Sequence, residues 1–219
     1  MEIEATHAGL AGARRVGRRG LLAAGLGGAS ASLLPVLLGR AAATTPDDST
    51  PDENTTTTAP PKRPSEADVA LLGAAQQVEL TMVALYDDAI AGVTGWSDED
   101  AVVMVAFREA HEDSAVAISA LLGRQAPNAR SESLYSALAP SFVGGRDDVV
   151  AKAWEAESAA VATHGELLGS LQGFNGATLI AAIQMAEARH CTVLADLLGT
   201  DDTALLLVDD EADPLEVNG

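Results

Sequence analysis

Cysteine, aromatic and basic residues are all scarce in this chain, and each scarcity closes off a class of protein. A single cysteine, Cys191, among 219 residues excludes an intramolecular disulfide framework. Aromatic residues make up 3% of the chain, which leaves little material for an aromatic binding surface. Lys and Arg number 13 against 32 Asp and Glu, a formal net charge of −19, so phosphate backbones are repelled and no nucleic-acid partner is expected. Strand signals are weak throughout. Ser114 lies one turn from His111, but no strained nucleophile loop or oxyanion donor set accompanies it, which speaks against a hydrolase.

Where basic residues do occur, they cluster. Arg14, Arg15, Arg18 and Arg19 precede a weakly apolar run, LLAAGLGGASASLLPVLLG, closed by Arg40 and three alanines. That order is the build of an export signal, and Arg18-Arg19-Gly20-Leu21-Leu22 resembles the twin-arginine consensus of bacterial signals. Residues 1–43 are therefore read as a signal peptide cleaved near Ala43, and the expected location is exported: periplasmic, extracellular or cell envelope. Retention as a membrane anchor is the competing reading, disfavoured by the Gly, Ala and Ser content of the run and by Pro35. Residues 44–64 are Thr, Pro and acid without apolar periodicity and read as a disordered linker. Without residues 1–43, eight basic residues face 30 acidic ones, a net −22, which suits a secreted protein or one living in salt. That charge identifies no protein partner, and a homo-oligomer stays open.

The folded part is expected over residues 65–200, followed by an acidic tail, 201–219, whose apolar run Leu205 to Val208 is expected to dock on the fold. Four segments carry apolar residues at helical spacing: Leu72, Gln76, Glu79, Val83, Tyr86 and Ile90; Met104, Phe107, His111, Ser114, Ile118 and Leu121; Val150, Trp154, Glu157, Val161, His164, Leu168 and Leu171; Ile180, Ile183, Glu187, His190, Leu194 and Leu197. The spacing predicts helices over 65–91, 98–122, 146–172 and 176–198. Ser97 or Asp98, Asp147 and Asn175 are the candidate N-caps, with Gly92, Gly123, Gly173 and Gly199 as stop signals. Short Gly-containing links join the first helix to the second and the third to the fourth, which makes antiparallel hairpins. Between the hairpins lies a longer stretch with Pro127 and Pro140 and room for a helical turn or two around Leu134 to Leu138. The expected fold is all-α: a four-helix bundle of two antiparallel hairpins joined by a long crossover.

Each stripe places an ionisable residue near the middle of its buried face. Glu187 and His190, three residues apart, share the apolar side of the last helix. A lone carboxylate there costs several kcal/mol, roughly that of any unpaired interior charge, so something must neutralise it. Arg108, Arg189 or Lys152 can do so from a flank; so can an ion or a histidine. A faint internal repeat sets His111 opposite Glu187 and Ser114 opposite His190, and in the first helix of each hairpin an acid, Glu79 or Glu157, is followed seven residues later by Tyr86 or His164.

On ELTMVALYDDAI, FREAHEDSAVAISALLG, AESAAVATHGELLGSL and AEARHCTVLADLLG, the chain is similar to the ferritin-like superfamily, and more closely to exported bacterial ferritin-like domain proteins. The resemblance covers residues 65–200. It implies a metal site of Glu from the first and third helices and Glu-x-x-His from the second and fourth, assigning Glu79, Glu157, Glu187 and His190 as ligands. The second helix departs from that pattern, with His111 where Glu is expected and Ser114 where His is expected. The ligand set implied is thus Glu79, His111, Glu157, Glu187 and His190, holding one iron, manganese or zinc ion and leaving open a redox role with oxygen or peroxide as co-substrate. Tyr86 and His164, about 10 Å along their own helices from the acids, are placed behind the ligands with Ser114, as supporting or packing residues. Cys191 reads as a small buried core residue. The alternative is a metal-free helical binding or scaffold module of the cell envelope, whose buried acids and histidines satisfy one another.

Overall fold

A computed structural model describes residues 63–200, 202, 203 and 205–217. The signal peptide and all but the last two residues of the linker lie outside the described residues, and so do Asp201, Ala204 and residues 218 and 219 of the tail. Among the described residues the protein is all-helical: α1 (Glu66–Gly92), α2 (Asp98–Leu122), a short α3 (Glu132–Leu138), α4 (Arg146–Ser170) and α5 (Phe174–Leu197), with 3-10 turns at Gly123–Gln125 and Ala139–Ser141. Helix α1 packs along α2 and α4 along α5; further contacts join α1 to α4 and α2 to α5.

Helix starts follow the chemistry of orphan N–H groups, though not always with the residues the sequence suggests. Ser97 caps α2 in a reciprocal box with Asp100. Arg146, at the start of α4, bonds both oxygens of Asp100 at 3.0 Å and the Leu197 carbonyl at 3.0 Å, tying three helix ends together. Asp147 and Asn175 cap nothing; they sit inside their helices, after Gly145 and Gly173. The chain entering α5 is held instead by buried Asp68 of α1, whose carboxylate accepts from the N–H groups of Gln172 and Gly173 at 2.9 Å each. Gly173 suits that approach, since a Cβ there would lie 2.8 Å from Asp68 Oδ2 and the carboxylate would have to shift.

The crossover is anchored at several points. Gln76 Nε2 donates to the Ala115 carbonyl (3.2 Å) and to Asn128 Oδ1 (3.0 Å), and Asn128 N–H donates back to Gln76 Oε1. Leu134 and Phe142 plug the crossover into the core. The tail docks through the apolar run and beyond it: Leu205 and Leu207 are exposed, but Leu206 and Val208 are half-buried and the Leu207 carbonyl accepts from Trp154 Nε1 at 3.2 Å, while Leu215 and Val217 pack on the core. Backbone bonds lace the tail to α4 and α3, from Asp209 N–H to Ser158 Oγ (3.2 Å), from Leu215 N–H to Thr163 Oγ1 (2.7 Å), and from Ser131 Oγ to the Val217 carbonyl (2.9 Å).

Two apolar clusters fill the interior. One gathers Met82, Leu85, Met104, Phe107, Val149, Val150, Ala153 and Leu194, the other Leu72, Ala75, Ile118, Leu122, Ile180 and Ile183. In chain order His111, His164, Glu187 and His190 fall between them, while Glu79 follows Val78 and Glu157 stands between Ala156 and Ala160 of the first cluster, so the polar residues lie where the two clusters meet.

Candidate metal centre

All four long helices contribute to that polar layer, and every member is buried: Glu79 and Tyr86 from α1, His111 from α2, Glu157 and His164 from α4, Glu187 and His190 from α5. The acids and imidazoles alternate along one path. His190 Nδ1 lies 3.2 Å from both oxygens of Glu157. Glu157 Oε1 meets His111 Nε2 at 3.0 Å, and His111 Nδ1 meets Glu79 Oε2 at 2.9 Å. Glu79 Oε1 is 3.3 Å from His164 Nε2, and His164 Nδ1 is 2.8 Å from Glu187 Oε2. The path thus begins and ends on α5, one helical turn apart.

The five residues assigned as ligands are brought together. Tyr86 and His164, read as supporting residues, contact the acids themselves. Tyr86 Oη donates to Glu157 Oε1 at 2.6 Å, and His164 touches both Glu79 and Glu187. Seven residues do separate each from the acid of its own helix, but α1 and α4 run in opposite directions, so 86 comes level with 157 and 164 level with 79. The sequence signal was the paired Glu-x6-Tyr and Glu-x6-His; what it lacked was the opposed direction of the partner helix. Ser114 is half-buried and makes none of the layer's hydrogen bonds.

The flanking cations do not neutralise the acids. Arg108 pairs with Asp87 and Glu112, and Lys152 with Glu155, at the surface, while Arg189 is exposed. The imidazoles take that role. Burial alone pulls the pKa of His111 down, yet the charges of Glu157 and Glu79 carry it well above 6.5. Burial raises Glu157, but His190 and His111 hold its carboxyl well below the usual range. His164 is lifted to about 8, Glu187 and Glu79 overcoming burial. Glu187 goes the other way: burial pushes it up to about 7 in spite of His164. Burial and then Glu157 raise the Tyr86 phenol well above 10.0, and burial raises the Cys191 thiol to about 12, so both stay protonated.

Aromatic rings fix the imidazole planes. Phe107 stacks on His190 with centroids 4.0 Å apart, and Tyr86 on His111 at 5.6 Å. Of the layer, His190 alone keeps noticeable exposure, 8%.

Two ligand groups lie close enough to share an ion: His111, Glu157 and His190, and Glu79, His111 and Glu187, with the ligand atoms of each group within 4.8 Å of one another. Carboxylate oxygen and imidazole nitrogen are the donors that iron, manganese and zinc accept. Among the described residues, the buried side-chain N and O atoms left without a hydrogen-bond partner are three, Glu79 Oε1, His164 Nε2 and Glu187 Oε1, all in this layer. Comparison of the chain with family models, curated proteins and solved structures gives no match.

Proposed function

We propose that this chain is an exported metalloprotein whose four long helices form a ferritin-like bundle, two antiparallel hairpins joined by the crossover at 123–145, around one iron, manganese or zinc ion. The observation that carries this reading is the convergence of ligand atoms from Glu79, His111, Glu157, Glu187 and His190 on groups within 4.8 Å. The helix pairings and the residues brought to one level support the architecture. Export rests on the arginine-led segment at the start of the chain. Bound there, a redox-active ion would supply one-electron chemistry toward oxygen or peroxide. The protein's part is to hold the ion by carboxylates and to keep water out where two apolar clusters meet.

The test is elemental analysis of the full chain, purified without an affinity-tag metal, against its Glu187→Ala/His190→Ala variant. Near-stoichiometric metal lost in the variant, with a melting temperature lowered by chelator, is the expected result. A wild type that stays empty after anaerobic loading with iron, manganese and zinc refutes it.

A second reading is favoured by the pairing itself. Three acids and three imidazoles alternate along the path and compensate one another's charge, so the core can stand metal-free as a scaffold module of the cell envelope. That reading predicts indifference to chelators.

A further inference from the structure

His111 belongs to both of the groups close enough to share an ion, yet its two ring nitrogens face different acids. Nε2 lies 3.0 Å from Glu157 Oε1, and Nδ1 lies 2.9 Å from Glu79 Oε2. A neutral imidazole carries one lone pair and one N–H, so the ring can give an ion only one of these two sides. On the Glu79 side, Glu79 and Glu187 already have His164 between them, its Nε2 3.3 Å from Glu79 Oε1 and its Nδ1 2.8 Å from Glu187 Oε2. On the Glu157 side stands a second imidazole, His190, whose Nδ1 is 3.2 Å from both carboxylate oxygens. Two ligands each about 2.1 Å from one ion stand about 3.0 Å apart at a right angle and about 3.4 Å apart at a tetrahedral one, and the separations of 3.0 and 3.2 Å fall in that interval.

The surroundings favour the same side. With its proton on Nδ1 and donated to Glu79, His111 turns the Nε2 lone pair toward Glu157, and a carboxylate behind the ring is what orients a metal-binding histidine. Tyr86 Oη donates to Glu157 Oε1 at 2.6 Å, and the rings of Tyr86 and Phe107 stack on His111 and His190. His190 is also the member of the layer that reaches solvent. Two imidazoles and one carboxylate leave the other positions of an octahedral ion open.

We infer that a divalent iron, manganese or zinc ion is held by His111 Nε2, His190 Nδ1 and the Glu157 carboxylate alone, and that its open positions accept a diatomic or triatomic ligand arriving past His190. This rests on the metalloprotein reading and narrows its ligand set from five residues to three. Glu79 becomes a positioning residue that acts through His111, and Glu187 pairs with His164 outside the coordination of the ion. Burial of the whole layer limits the incoming ligand to that size. Binding releases to solvent whatever proton the two ligand nitrogens carry in the metal-free state.

The experiment is histidine 15N NMR of the full chain, stripped by chelator and titrated with zinc, with zinc affinities of His190→Gln and Glu187→Gln and with nitric oxide added to the iron(II)-loaded chain. The expected result is that His111 Nε2 and His190 Nδ1 move to metal-bound positions while His164 does not. His190→Gln should weaken zinc by more than about a hundredfold and Glu187→Gln by less than about tenfold. Nitric oxide should give the high-spin iron–nitrosyl EPR signal in proportion to bound iron. If a variant fails to fold, the resonances of the wild type decide the ligands. Zinc binding that moves His111 Nδ1 and leaves His190 unchanged, equal losses in the two variants, or bound iron silent to nitric oxide overturns the inference and leaves the metalloprotein reading standing. No binding of zinc, manganese or iron overturns both.

Discussion

Tyr86 of α1 donates to Glu157 of α4 across 2.6 Å, and one turn pair away His164 of α4 reaches back to Glu79 of α1 at 3.3 Å. The two contacts are reciprocal: on each helix the residue seven positions after the acid serves the acid of the other. Removing the phenol oxygen tests the first contact without opening a cavity. Tyr86→Phe leaves Glu157 with His111 and His190 as its donors, and is expected to destabilise by about 1–2 kcal/mol in urea unfolding. A change near zero would mean that the tyrosine merely fills space.

Glu157 and Glu187 are predicted to respond very differently to the same substitution. The Glu157 carboxyl is held well below its ordinary value by two imidazoles, so Glu157→Gln strips the counter-charge from both and is expected to cost about 3–5 kcal/mol. Burial lifts Glu187 to about 7, so at neutral pH it carries only about half a charge, and Glu187→Gln is expected to be milder than Glu157→Gln in the metal-free chain. Equal losses from the two variants would contradict this ordering.

Stability of the metal-free chain should fall as pH rises through neutrality. His164, lifted from 6.5 to about 8, contributes fully below 6.5 and loses that contribution as pH climbs through about 8. Glu187, raised from 4.5 to about 7, acts in the same sense, because the folded state holds its proton more tightly than the unfolded one over that interval. Glu157 acts oppositely at the acid end, its contribution being present above 4.5 and lost as pH falls toward its depressed value. Chemical unfolding in chelator is expected to show greater stability at about pH 6 than at about pH 8.5. The His164→Gln variant should show a shallower decline; an unchanged slope would assign the effect to other groups.

At the start of α5, Asp68→Ala removes the acceptor of two backbone N–H groups and is expected to destabilise by about 1–2 kcal/mol. Gly173→Ala should also destabilise, although its φ of −85° suits alanine, because the new Cβ meets Asp68 Oδ2. A neutral Gly173→Ala would show that Asp68 can retreat without loss. Thermal unfolding of both variants checks the pair.

Much of this was written in the chain as spacing. The positions of α1, α2, α4 and α5 follow from apolar residues recurring every three and four, and the short helix around Leu134 falls where the length of the crossover left room for one. Glu79, His111, Glu157, Glu187 and His190 stand out because each interrupts an apolar stripe. Tyr86 and His164 lie on the same stripes, but their partners do not yield to that reasoning, since these are fixed by the direction of a neighbouring helix and not by anything local. The cap of α5 was hidden for a similar reason: Asp68 is more than 100 residues away in sequence. Which of the possible groups neutralises the acids was not legible from formal charge, for Arg108 and Lys152 pair with surface acids while histidines face the core.

The layering of the interior has a consequence for how the helices find their alignment. Stripes of Leu, Ile, Val and Ala tolerate sliding by one turn, about 5.4 Å, because one aliphatic contact resembles the next. A slide of that size between α1 and α4 would carry Glu79 away from His164 and Glu157 away from Tyr86, breaking both cross-helix contacts at once. The polar layer therefore acts as an index mark on otherwise interchangeable surfaces, as a single buried polar residue does in a coiled coil.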